Sequence, residues 1–260
     1  EEGVDGGAKP MIEHRALDDP KVSFVLGQHV EQSLPVGYVG LRPGPMMAAS
    51  DSIDLVVRGR AGHAGYPHSG PDAILVASEI VVGLQALVSR AKSPAEPGVI
   101  SIGSIHGGEK RNVLPEEVRM LGTVRTLSSE LRERYTRILP ARCHGIARSL
   151  GASVRVKYEH GYPPLVNDPG VTALISEELG GAWGRDRVRQ LAAPVMGAED
   201  FARYLERRRG AFWFLGVGPA KDVAAPKHTP KFLPDERALM WGTDALMRGA
   251  AALHSGRVPA

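Results

Sequence analysis

Apolar positions along this 260-residue chain change period several times, and each change predicts an element. Residues 8–17 read as a short helix, ended at Asp18-Asp19-Pro20 because the residue before proline disfavours the α region. Residues 22–27 form a short apolar run, read as a buried strand that delivers Gln28-His29-Val30 at its carboxyl end. Residues 38–42 predict a second strand, stopped by Pro43-Gly44-Pro45.

From Ser52 the texture changes. Residues 53–58 partly alternate, as a half-exposed strand does. Ser69-Gly70-Pro71-Asp72 opens a helix with proline in the first turn. Ile74, Leu75, Ile80, Val81, Leu84, Leu87 and Val88 follow at helical spacing. Strands are predicted at 99–105 and 118–125. A helix capped by Ser128-Ser129-Glu130 comes next, kinked at Pro140 and closed at Leu150-Gly151, and residues 153–158 alternate again.

That order, βαββαβ, predicts an antiparallel sheet backed by two helices: an inserted α+β, ferredoxin-like module over residues 50–164. Residues 1–49 and 165–260 are then two parts of one α/β layer. Its second part is predicted as a helix at 169–179, strands at 187–191 and 211–217, and helices at 199–207 and 236–254.

Composition narrows the classes without naming one. The 32 Lys and Arg are spread among 29 Asp and Glu for a net charge of +3, and basic residues do not interleave with aromatic ones, so no nucleic-acid partner is expected. No apolar run is read as long enough for a membrane span. The single Cys143 excludes an internal disulfide and reads as a packed apolar residue.

Candidate chemistry lies in three scattered places: the adjacent carboxylates Glu1-Glu2, His29, and His228 within Lys227-His228-Thr229-Pro230. Each is predicted at a strand end or the loop beyond it, where an α/β sheet assembles its site. One carboxylate and two imidazoles are part of a metal centre, which takes about four ligands per ion.

Eight segments in unbroken order carry a resemblance. They are Glu1-Glu2-Gly3, Gly27-Gln28-His29-Val30, the run from Gly40 to Ala48, the run from Gly59 to His68, Asn112-Val113-Leu114-Pro115, the run from Gly122 to Thr126, the run from Val195 to Phe201, and the run from His228 to Phe232. Together they resemble the amidohydrolase branch of the aminoacylase-type dinuclear metallopeptidases, which includes hippurate hydrolase, N-acyl-amino-acid amidohydrolases and auxin-conjugate hydrolases. The resemblance implies a zinc-exopeptidase-like α/β catalytic domain with the inserted module as lid and dimerisation domain. It implies hydrolysis of the amide bond of N-acetyl or N-aroyl L-amino acids, and two divalent ions (Zn, Mn, Co or Ni).

By the same resemblance Glu1 is the general base, and Glu2, His29 and His228 are metal ligands. His63 reaches the partner subunit's site in a homodimer to stabilise an oxyanion, and Asn112 and Arg125 hold the substrate's carboxylate. His68 is left open, with bracing of the His63 loop as one role. In the family, an upstream Cys-Gly-His-Asp-type segment supplies two further ligands. The expectation is therefore a chain lacking the first part of the catalytic domain, inactive alone, with exposed apolar surface at 22–26 and 211–217. A cytoplasmic location is expected. Two other readings stay open: a dipeptide exopeptidase using the same site, and a non-catalytic binding or dimerisation module.

Overall fold

The computed structural model describes residues 6–218 and 228–256. Glu1 and Glu2 lie outside the described residues. The chain enters through helix α1 (Ala8–Glu13), strand β1 (Phe24–Pro35), β2 (Val39–Leu41) and β3 (Gly44–Met47). α1 stops earlier than predicted: Arg15 takes a left-handed backbone (φ 66°), which ends the helix before the Asp-Asp-Pro signal is reached.

The insertion follows as β4 (Ser50–Arg58), β5 (Gly62–His63), α2 (Ala73–Arg90), β6 (Gly98–His106), β7 (Val113–Leu114), β8 (Glu117–Thr126), α3 (Ser129–Ser149) and β9 (Ser153–Tyr162). Its main sheet has the order β6-β8-β4-β9 with every pairing antiparallel, and β5 pairs with β7 beside it. α2 starts later than predicted: Pro71 precedes the cap, and Asp72 Oδ1 accepts the N–H groups of Ile74 and Leu75. α3 is capped by Ser128 and runs on through Pro140.

Both helices pack on one sheet face. Ile80, Leu84 and Leu87 of α2 and Tyr135, Leu139 and Cys143 of α3 close over Ile53, Leu55, Val57, Met120 and Val124. At 18 residues α2 is long and apolar enough to cross a membrane by length and composition, contrary to the sequence reading. Its spacing instead buries one stripe against the sheet, as in a core helix.

The chain then returns through β10 (Leu165–Asn167), α4 (Pro169–Trp183), β11 (Val188–Gln190), α5 (Ala202–Leu205), β12 (Arg209–Gly218) and α6 (Ala238–His254). β12 is the second strand of a sheet ordered β1-β12-β2-β11, parallel to β1 and antiparallel to β2. α4 and α6 cover one face, burying Val171, Ile175, Leu179 and Ala245 against Trp213 and Leu215. The other face packs Phe212 and Phe214 against Leu34, Met46, Met47, Leu165 and Ala202.

The expectation that residues 211–217 lie exposed is corrected here. Flanked on both sides and covered on both faces, every one of them is buried. At the other stretch the outcome is mixed: Val25 is buried, Phe24 and Leu26 partly so, and Ser23 is exposed. The predicted helix at 199–207 also shrinks to the single turn of α5, so Glu199 and Asp200 precede it.

The two layers meet at a buried ionic node. Asp51, 1% exposed, lies where β4 enters the insertion, and Gly161 lies where β9 leaves it. Arg132 of α3 reaches Asp51 through Nε (3.1 and 3.0 Å to the two oxygens) and Nη2 (2.6 Å). The Tyr158 hydroxyl and the Gly161 N–H donate to the same carboxylate at 3.0 and 3.1 Å. Arg132 Nη2 and Arg203 Nη2 of α5 both donate to the Gly161 carbonyl, at 3.1 and 3.2 Å.

Candidate metal and amide-hydrolysis site

β1 extends further than its apolar run suggested, because Val30 and Glu31 keep pairing with Leu215 and Gly216 of β12. His29 therefore sits mid-strand. Alternation sends neighbouring side chains to opposite faces. Gln28 accepts the Trp213 Nε1–H at 3.1 Å beneath α6, and His29 faces the opposite side.

There His29 meets His228, with ring centroids 6.0 Å apart and planes tilted by 38°. The Nδ1 of His29 lies 2.8 Å from the Val30 carbonyl oxygen. A carbonyl only accepts, so Nδ1 carries the proton and Nε2 keeps its lone pair; a ligating imidazole is usually fixed this way. His228 has a positive φ of 64°, a conformation uncommon outside glycine and concentrated at functional positions.

Glu199 lies beside His29. Burial pushes its carboxyl up, a hydrogen bond with Asp200 and that residue's charge add to the effect, and His29 opposes it. Among the described residues no group of three or more His, Cys, Asp or Glu side chains clusters around an ion-sized space. Two neighbouring imidazoles, one with Nδ1 engaged by the backbone and Nε2 available in the neutral ring, fit a borderline divalent ion as a partial ligand set.

The insertion brings a second group together. His63 of β5 pairs opposite Val113 of β7, and the Asn112 carbonyl accepts the Ala64 N–H at 3.0 Å. The Gly65 N–H donates to His63 Nδ1 at 2.9 Å, so the neutral ring carries its proton on Nε2 and presents a donor outward. Tyr66 stands 5.4 Å from the His63 ring and 6.3 Å from that of His68, so His68 contacts the loop carrying His63 through Tyr66.

Arg125 is half-buried on β8, with its proton affinity lowered by burial and partly restored by Asp51. Among the described residues no ring contact or hydrogen bond joins His63 to His29. Glu1 and Glu2 cannot be placed beside either group, being outside the described residues. The sequence reading passed over Asp51, whose signal was a lone acid on the inward register of β4, and gave Asp200 no role beyond a helix start.

Comparison with known proteins now bears on this geometry. Residues 1–252 match the model of peptidase family M20/M25/M40, so the chain belongs to that family. It is 36% identical over 253 residues to the N-acetyl-L-cysteine deacetylase of Bacillus subtilis, covering 97% of this chain and 58% of that protein. It is equally 36% identical over 244 residues to thermostable carboxypeptidase 1 of Saccharolobus solfataricus, covering 93% and 61%.

Among solved structures, a Bacillus subtilis protein described as a dinuclear metal binding peptidase of the M20 family superposes with a TM-score of 0.76. That match has 29% identity and covers 96% of this chain and 62% of the other. The chain thus spans about three fifths of the length of the curated relatives it matches. The fold is that of an M20 peptidase-like hydrolase, an α/β catalytic layer carrying an inserted α+β unit.

Proposed function

We propose that the protein hydrolyses the amide bond of N-acyl L-amino acids, N-acetyl or N-aroyl, releasing the acid and the free amino acid. The observation that carries the proposal is the meeting of His29 and His228, with His29 Nε2 left open for coordination. The deacetylase relative supports the acylated amino acid as substrate class, and the dinuclear relative supports two divalent ions of the Zn, Mn, Co or Ni type.

Glu2, His29 and His228 would hold such ions. When bound, a divalent ion supplies Lewis acidity at the scissile carbonyl and lowers the pKa of water toward neutrality. Glu1 takes the proton of the attacking water and returns it to the leaving amine nitrogen. His63, with its proton on Nε2, donates to the carbonyl oxygen as negative charge develops there. Asn112 and Arg125 receive the substrate's free carboxylate, a task suited to the guanidinium fork.

His63 acts on the partner subunit's site in a homodimer joined through the insertion, residues 50–164. Residues 1–49 and 165–260 contribute to the catalytic unit.

The test is turnover of N-acetyl amino acids and hippurate by a full-length enzyme, before and after chelation and with Glu1→Gln. Both treatments should abolish it. Activity surviving both would end the metal-dependent reading. The carboxypeptidase relative favours a second reading, exopeptidase action on dipeptides by the same residues. Side-by-side rates on dipeptides and N-acyl amino acids separate the two.

A further inference from the structure

The triplet Glu199-Asp200-Phe201 touches two of the three segments that deliver candidate ligands, the α1 entry and the His29 strand. Asp200 Oδ2 accepts the Ala8 N–H at 2.8 Å, where α1 begins. The turn before it is pressed onto the same carboxylate. Gly6 has φ +52°, and a Cβ placed there would lie 2.6 Å from Asp200 Oδ2 and 2.8 Å from the Tyr162 hydroxyl oxygen. Only glycine satisfies both demands, a left-handed backbone and a missing side chain.

Phe201 does the matching work on β1. Its ring lies over Gly27, so close that a Cβ at Gly27 would stand 2.9 Å from it. Gly27 is two residues before His29, on the same side of the strand. The ring is itself held by Tyr204 and Phe212, at 5.5 and 5.6 Å between centroids. The Tyr204 hydroxyl also reaches Met11 Sδ of α1 at 3.3 Å, closing the loop of contacts.

We infer that Asp200 and Phe201 are positioning residues that clasp the segment entering α1 to the His29 strand, fixing the chain just downstream of Glu1-Glu2 relative to His29. The consequence for metal binding rests on the function proposed above; the clasp itself does not. A bland alternative is that Asp200 merely caps a short helix. In that case its loss would fray α1 and leave ion affinity untouched.

Two measurements on the full chain decide between them. Amide hydrogen exchange without metal reads the clasp, and a cobalt(II) titration followed by visible absorption reads its consequence. Asp200→Ala should speed exchange of the Ala8 amide and of α1 at least tenfold, with exchange in β4 and β8 unchanged as the folding control. It should also weaken cobalt binding about 10- to 100-fold, the usual effect of losing support around a ligand. Asp200→Asn keeps an acceptor oxygen and should restore both to within about threefold.

Gly6→Ala, which drives a methyl into the Asp200 carboxylate, should reproduce the loss if Asp200→Ala does not fold. Unchanged exchange at Ala8 in these variants would overturn the clasp. Faster exchange with unaltered cobalt affinity would reduce Asp200 to a helix cap and overturn the inference. If the parent chain takes up no cobalt, the metal reading of the previous section fails, and the exchange measurement alone still decides the clasp.

Discussion

Arg132 grips Asp51 from above the sheet, its Nη2 only 2.6 Å from Oδ1 of a carboxylate that is almost wholly buried. The pair joins the first turn of the insertion's second helix to the point where its first strand leaves the other layer. Burial makes such a contact asymmetric: keeping it gains little over an apolar packing, whereas removing one partner strands a charge.

Arg132→Ala is therefore expected to lower stability by about 3–5 kcal/mol. Tyr158→Phe, which removes one donor to the charged carboxylate, should cost about 1.5–3 kcal/mol. Urea unfolding of each variant checks both values. An Arg132→Ala protein within about 1 kcal/mol of the parent would show that the node is dispensable.

Cys143 supplies a pH prediction. Burial in the core of the insertion pushes its thiol up to about 12. The unfolded thiol ionises first, near pH 8.5. Through that value and up to about 12 the folded state binds the extra proton, so this contribution to stability is whole below pH 8.5 and falls as pH rises. The slope is about 1.4 kcal/mol per pH unit. Comparing the alkaline slope of unfolding free energy for the parent and Cys143→Ala measures it; identical slopes above pH 9 would refute the assignment. At neutral pH the native thiol should resist a disulfide reagent until denaturant is added.

Asn167 ties the short strand β10 to β12 and to the link between β2 and β3. Its Nδ2 donates to the Arg42 and Phe212 carbonyls at 2.9 and 2.8 Å, and its Oδ1 accepts the Phe212 N–H at 2.8 Å. Asn167→Ala leaves buried groups without these partners, at about 1–3 kcal/mol for each one stranded. Asn167→Asp should not rescue it, because a carboxylate would face two carbonyl oxygens. Thermal melts of both variants give the comparison, and a full rescue by Asp would contradict this bonding pattern.

In an active full-length enzyme His63→Ala should lower kcat by about 10²–10³. His63→Gln, which keeps an N–H donor, should recover part of the loss. A change confined to KM would instead make His63 a substrate-binding group rather than a stabiliser of developing charge.

Much of this architecture was legible because local rules and tertiary packing agreed. In α2 and α3 the helical spacing, the Asp72 and Ser128 caps and the sheet beneath them all point one way. The boundaries moved where a non-local partner intervened. β1 outran its apolar stretch because β12 continues beside it, with Gly216 opposite Glu31. The single turn of α5 replaced a longer predicted helix, and Asp200 before it is bonded to the remote Ala8 N–H.

The site followed the same division. Motif order singled out His29 and His228, and the structure places their rings 6.0 Å apart. Asp200 and Asp51 were not, since their partners Ala8, Arg132 and Gly161 are remote in sequence and carry no spacing signal.

The Gly161 carbonyl has room for two donors, and it receives one guanidinium from each side of the boundary it sits on. A swing of the insertion cannot stretch Arg203's contact without also disturbing the oxygen that helps seat Arg132. Any rotation of the insertion against the other layer would therefore act on the ionic anchor within the insertion. A family member whose insertion sits at a different angle should show the equivalent carbonyl bonded from one side alone.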